Sequence, residues 1–402
     1  MMVPVSGSKR PRFILSGRRF TLIGLLILVL LPTIFFTSSG SNEVVVHQPD
    51  LLSSIRPTSP VTKKADQLLP PPSLPELTNT RNNHPQDQAS CEAKSFVYIQ
   101  DVVHKKSITV NSNNSKIPKV IHQTSKSRCL TQLFAKISEP WRSLQGYDYY
   151  LHDDDAMIRL LVSQSDEFPM LHDLVMANCL PHGTLKADVW RYLVLWTYGG
   201  VYADIDTQPT KVFTSNSNNQ GTAIKDSDDG WFVVEQFHIL SQYVMAVSPH
   251  HPLMYYAIQH ATHKIMAQED TKQINAALVT GPHALHRAFQ DFCKDAGIRM
   301  DPQGVGFKPV KAGIWQGTNG RSITVVGRGE LEGEYITREM MSLHLKKKQY
   351  AKMGMSSFRE DKMQSSGQSC MAALFQYHHH QHHNRNLLDQ NGMVSGDSNR
   401  GG

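Results

Sequence analysis

Gly199-Gly200-Val201-Tyr202-Ala203-Asp204-Ile205-Asp206, preceded by Lys186-Ala187-Asp188-Val189-Trp190-Arg191-Tyr192, reads as a helix, a double-glycine stop and a short buried strand ending on two carboxylates. Side chains alternate along a strand, so Asp204 and Asp206 point the same way if the strand runs that far. Two anions aimed at one spot repel unless a cation lies between them. Carboxylate oxygens suit a hard divalent ion, Mn²⁺ or Mg²⁺, which commonly shares its coordination with substrate phosphates. An isolated Asp-x-Asp is weak evidence, because surface turns produce it often. The preceding helix and glycines give this one weight.

Within that helix, Leu185, Val189, Tyr192, Leu193 and Trp196 recur at helical spacing and form an apolar stripe suited to packing on a sheet. Asp188 and Arg191 are three apart and share a face beside the stripe. The plain rival is a surface ion pair of little energetic consequence. The glycines, however, sit where a left-handed C-cap is expected. The helix should therefore fold back beside the strand, gathering Asp188, Arg191, Asp204 and Asp206 into one pocket. There an acid and a guanidinium would grip sugar hydroxyls while the metal holds a diphosphate.

The Asp188…Arg191…Asp204-x-Asp206 pattern resembles the sugar-nucleotide site of glycosyltransferase family 32 and its relatives, the glucosylating bacterial toxins. Ile117-Pro118-Lys119-Val120-Ile121-His122-Gln123-Thr124 is similar to that family's opening strand, and Trp141 with Tyr147 to Asp154 to its second strand and the helix beyond. Val244 to Leu253 and Thr280-Gly281-Pro282-His283-Ala284-Leu285 resemble its later landmarks. The likeness runs from about residue 116 to 290, and includes the initiation-specific α-1,6-mannosyltransferases and the mannosylinositol-phosphoceramide synthases. It implies an α/β, GT-A-like and Rossmann-like domain over 116–345, a mixed sheet flanked by helices. It further implies a retaining, metal-dependent transfer of a hexose from a nucleotide sugar to a glycan or glycolipid acceptor.

By the same resemblance Asp206 is the more direct ligand of Mn²⁺ (or Mg²⁺), Asp204 shares metal and ribose contacts, and Asp188 and Arg191 hold sugar hydroxyls. His122, Gln123 and Thr124 are donor-binding candidates, with a backbone-satisfied histidine as the rival reading of His122. GDP-mannose is the favoured donor, with a UDP-sugar behind it. Galactosyl or N-acetylglucosaminyl transfer, or an inactive membrane-tethered scaffold, are the alternatives. Family members carry a His-Trp and Ser-Trp signature near the end of the domain. Here Ser342-Leu343-His344-Leu345 occupies that region and no tryptophan follows Trp315, which makes His344 the candidate third metal ligand.

The ends of the chain read independently of that family. Phe20 to Phe36 is nearly all apolar and, at about 17 residues, reaches the short end of a membrane-spanning helix. Lys9, Arg10, Arg12, Arg18 and Arg19 precede it. The positive-inside rule then makes 1–19 a cytosolic tail and 20–36 a signal anchor, with the rest in the lumen of the Golgi or endoplasmic reticulum, a type II membrane protein. A cleaved signal peptide is the rival. Residues 37–115, rich in Pro, Ser, Thr, Asn and Gln, have the composition of a lumenal stem. Asn113-Asn114-Ser115 is a glycosylation sequon at Asn113. Residues 346–402, with His378-His379-His380-Gln381-His382-His383, read as a low-complexity tail.

A net charge of +6, much of it in the N-terminal tail and Lys346-Lys347-Lys348, leaves no concentrated basic patch for nucleic acid. Five cysteines without C-x-x-C spacing exclude a zinc ribbon or redox motif. A lumenal location permits disulfides; the odd count leaves one cysteine over, for which Cys91 in the stem is the candidate, so a homo- or hetero-oligomer is admitted. Strands are expected at Val120-Ile121, Tyr147–Leu151, Trp231–Val234 and Tyr243–Val247. Helices should follow Asp153, Pro252 and Pro282, in the alternation of a largely parallel sheet.

Overall fold

The computed structural model describes residues 73–78, 85–104, 115–163, 167–180, 183–214, 223–234, 239–269, 274–294, 296–297, 310–327, 336–338, 343–355 and 369–381. The expected cytosolic tail, the signal anchor at 20–36 and the sequon at Asn113 lie outside the described residues. Among those described, no helix is long and apolar enough to cross a membrane.

In chain order the strands are β1 (Val97–Tyr98), β2 (Val120–Thr124), β3 (Cys129–Leu130), β4 (Asp148–His152), β5 (Gly200–Ala203), β6 (Thr207–Pro209), β7 (Gly230–Val234), β8 (Leu240–Val247), β9 (Gly313–Gln316), β10 (Ser322–Val326) and β11 (Ile336–Arg338). A seven-stranded sheet runs β4-β2-β5-β8-β7-β10-β9. β2 is parallel to β4 and β5, and β10 to β7. β8 enters antiparallel between β5 and β7, and β9 is an antiparallel edge. The sheet is therefore mixed rather than largely parallel. Strands such as β7, buried at every position, present continuous apolar runs that carry no record of direction.

The helix Gly183–Tyr198 is central. The expected stripe widens into burial all round, with every residue from Asp188 to Thr197 buried. Sheet on one side and the helix Pro252–Met266 on another leave it no solvent face, which is the condition for a helix apolar around its whole circumference. It stops at Gly199 (φ +63°) and Gly200 (φ +94°), both in the left-handed half of backbone space. The space is as demanding as the angle. A Cβ on Gly199 would lie 2.7 Å from Pro249, and one on Gly200 would lie 2.6 Å from the Val120 carbonyl oxygen. The expected caps and starts are present elsewhere. The Asp153 carboxylate accepts from the Ala156 amide (2.9 Å) at the head of the helix Asp154–Ser163, and proline opens the helices at 252 and 282.

Two segments with spacer composition are folded onto the domain. Residues 85–104, expected in the stem, carry a helix and β1, which pairs with β3. Cys91 is not left over: it bonds Cys129, and the free cysteine is the buried Cys293. The short apolar run Phe96–Ile99, readable in the sequence as a candidate edge strand, supplies β1, and Ile99 is fully buried. At the other end, residues 370–381 of the expected tail are helical, and Cys370 bonds Cys179.

Candidate functional site

β5 ends at Ala203, before either carboxylate. The chain then turns instead of extending, and β6 begins at Thr207. Asp204 and Asp206 thus sit on a turn at the strand tip and owe their directions to that turn, not to β alternation. The turn is tightly held. The Asp204 carbonyl accepts from Gln123 Nε2 (3.1 Å), Thr207 Oγ1 (2.7 Å) and the Thr207 amide (3.1 Å). The Asp204 amide donates to the Tyr243 carbonyl on β8 (2.8 Å). Trp141, fully buried, donates its indole N–H to the Thr207 carbonyl (2.8 Å).

Arg191 is the hub. Its guanidinium contacts the Asp188 carboxylate at 3.1 Å and the Asp204 carboxylate at 3.3 Å, and donates to the Gln242 carbonyl at 3.1 Å. It also lies over the Tyr202 ring, 4.7 Å from the centroid, the geometry of a cation–π contact. Tyr202 in turn donates its hydroxyl to Asp204 (2.7 Å). Asp188 accepts from Thr280 Oγ1 (2.8 Å) and Gln242 Nε2 (3.2 Å). Asp188 and Arg191 are almost wholly enclosed, whereas Asp204 keeps 24% of its side chain open. Asp204 is therefore the face of the cluster that meets solvent.

The charges follow from that enclosure. Burial raises the Asp188 carboxyl from 3.8 to about 6, against the pull of Arg191. Arg191 is pushed up by Tyr202, Asp204 and Asp188, which outweigh its own burial. The three donors converging on Asp188 decide for a carboxylate at neutral pH, because hydrogen bonds to the charged form stabilise it.

His122, Gln123 and Thr124 turn toward the protein. His122 Nε2 is 3.0 Å from the Gly199 carbonyl, which can only accept, so that nitrogen carries the proton. Nδ1 then accepts from His152 Nε2 at 3.1 Å. Burial lowers the His122 value to about 4, which keeps the ring neutral at pH 7. Gln123 joins Asp204 to the Tyr149 hydroxyl, and Thr124 Oγ1 donates to the His152 carbonyl. These contacts fix the double-glycine stop and the carboxylate turn from beneath.

The third expected ligand is not brought in. His344 lies exposed on the helix Leu343–Lys352, and the residue on Asp206 is Lys346, whose ammonium forms an ion pair with the Asp206 carboxylate. Two residues along a helix is about 200° of rotation, so a helix that aims Lys346 at the site turns His344 away. Among the described residues no three His, Cys, Asp or Glu side chains are grouped to hold a metal. Asp204 and Asp206 nevertheless fit a divalent ion. Asp206 is buried and already stabilises a positive charge, with the ammonium as stand-in, and such ions commonly take only one or two carboxylates beside substrate phosphates.

Sequence reasoning missed Gln242, Tyr202 and Lys346. Gln242 and Tyr202 sit in strands whose apolar pattern draws attention away from single polar atoms. Lys346 stood inside a lysine run that reads as a solvated face. Thr280 was visible as part of a landmark but without a role.

Residues 129–224 match the model of the glycosyltransferase sugar-binding region containing a DXD motif. The initiation-specific alpha-1,6-mannosyltransferase of Schizosaccharomyces pombe is 28% identical over 199 residues, 44% of this chain and 49% of that protein. The Candida albicans protein of that name is 25% identical over 225 residues, 52% of each chain. Inositol phosphoceramide mannosyltransferase 2 of S. pombe is 34% identical over 102 residues, 24% of this chain and 26% of that protein. The chain thus spans about half, or less, of the length of these relatives. Among solved structures, the PaToxG glycosyltransferase aligns with a TM-score of 0.34 at 18% identity, over 43% of this chain and 68% of that one. The similarity to the DXD sugar-binding region covers the stretch that contains Asp188, Arg191, Asp204 and Asp206.

Proposed function

We propose that this protein is a retaining glycosyltransferase of GT-A type that moves a hexose from a nucleotide sugar to a glycan or glycolipid acceptor. Mannose, carried as GDP-mannose, is the favoured donor, since the relatives bear mannosyltransferase names. The observation that carries this reading is Arg191 spanning Asp188 and Asp204 at a strand tip, with Asp206 beside it. Two disulfides fit an oxidising lumen, in keeping with a Golgi or endoplasmic reticulum protein anchored by 20–36 and glycosylated at Asn113.

The hard step is departure of a nucleoside diphosphate from an anomeric carbon. A divalent ion held by Asp204 and Asp206 would neutralise the charge developing on the leaving phosphate. The remaining work belongs to the chain itself. Asp204, the open carboxylate, accepts from donor hydroxyls. Arg191, locked by Asp188, Gln242 and Tyr202, presents the edge of a planar fork that cannot rotate away. Asp188, enclosed beneath it, acts by fixing Arg191. Such preorganisation removes the orientational cost from the reacting complex. His122, Gln123 and Thr124 serve the donor by holding the turn.

An inactive scaffold is the second reading, favoured by the ammonium resting on Asp206. Assay of the full chain against a panel of nucleotide sugars, with and without Mn²⁺, separates the two. Transfer should be Mn²⁺-dependent and should vanish in Asp206→Asn while the circular dichroism stays native. Near-normal turnover by that variant would rule out the assignment.

A further inference from the structure

The segment after the main sheet returns across the carboxylate turn. β11 pairs antiparallel with β6, setting Arg338 opposite Thr207, one residue past Asp206. The helix Leu343–Lys352 then carries Lys346 onto Asp206, with the same ammonium 5.6 Å from the Tyr350 ring. Beyond the helix, the Gly354 carbonyl accepts from Lys126 Nζ (2.7 Å), and Ser125 Oγ reaches Met355 Sδ (3.7 Å). Tyr350 packs on Phe134 at 5.1 Å between centroids. Residues 336–338 and 343–355, the described parts of this strap, are thus tied to the strand tips of β5 and β2, and Lys346 is the charge the helix delivers between them.

We propose that Lys346 is a built-in competitor for the divalent ion: it neutralises Asp206 while the site is empty and must leave that carboxylate when the ion and donor load. This rests on the glycosyltransferase reading above and extends it to how the site is kept closed. An ammonium and a dication on one carboxylate repel each other, so binding of either weakens the other. Lysine suits the task because its charge is compact and its four-carbon stem is flexible. After displacement it stays within reach of the turn, where a diphosphate would bring new negative charge. Linkage requires the coupling to be reciprocal: the ion loosens the strap, and the strap weakens the ion.

The test is Mn²⁺ titration of the full chain without nucleotide, by calorimetry and by loss of the free-Mn²⁺ EPR signal. Lys346→Met should bind Mn²⁺ roughly tenfold or more tighter than wild type, while Lys346→Arg, which keeps a cation on the strap, should not. Adding Asp206→Asn to Lys346→Met should abolish the gain. In the wild type, Mn²⁺ should also quicken amide exchange across 343–352. Equal affinities for wild type and Lys346→Met would overturn the inference and leave the carboxylate assignment standing. A gain that survives Asp206→Asn would overturn it as well, by showing that the extra binding lies elsewhere. Mn²⁺ binding by neither protein, both without nucleotide and with a nucleoside diphosphate added, would overturn the inference and the metal reading together.

Discussion

Asp188 shows how a residue can belong to a site that it hardly touches. With about 1% of its surface exposed, it contacts Arg191, Thr280 and Gln242, and in the proposed reaction its part is to fix Arg191. Its carboxyl is raised from 3.8 to about 6 by burial. A group whose folded value exceeds its ordinary one contributes stability that is complete below about pH 4 and is lost as pH rises through about 6. Unfolding midpoints of wild type and Asp188→Asn, followed from pH 4 to 7, should therefore converge or cross in the variant's favour as pH increases. A constant difference across that range would deny the shift. At this scale the contacts among Asp188, Arg191 and Asp204 were legible, because their spacing survives any detail of packing. Their neutral partners were not, since a glutamine or a tyrosine inside an apolar strand has no spacing to betray it.

Among the elements, the helix-to-strand junction depends most on residue type. Gly200→Ala should cost roughly 3 kcal/mol, joining a left-handed φ to a 2.6 Å approach on Val120 backbone. Gly146→Ala, also at positive φ but with nothing within 4 Å, should cost only about 1 kcal/mol. Urea midpoints of the two variants would separate the steric part from the conformational part. Equal losses would mean that the close approach has no weight. The junction was readable because two glycines after a periodic stretch announce a stop. The end of β5 was not, for Asp204 and Asp206 continue a plausible alternation, and Gln123, Trp141 and Tyr243, all distant in sequence, hold the bend together with the adjacent Thr207. The antiparallel entry of β8 was hidden for a related reason, since burial on both faces erases direction.

Across the molecule, two disulfides bind outlying segments to the domain. Cys179–Cys370 closes a separation of 191 residues, and in the chain-entropy account long loops gain most. Replacing Cys179 and Cys370 by serine should lower stability by roughly 2–4 kcal/mol and expose the helix at 370–381 to protease first. Unchanged proteolysis of that helix would show that packing alone secures it. Composition suggested spacer at both ends, because an average over many polar residues outweighs a few anchoring ones such as Cys91, Ile99, Cys370 and Leu374.

The pairing of β11 with β6 has a bearing on how shortened forms of this protein should be judged. A premature stop codon shortly after Val326 would spare every acidic residue at the strand tip, so an inspection of the motif would pass it as intact. It would nonetheless leave the backbone of Thr207–Pro209 bare on that side, an invitation to edge-to-edge aggregation.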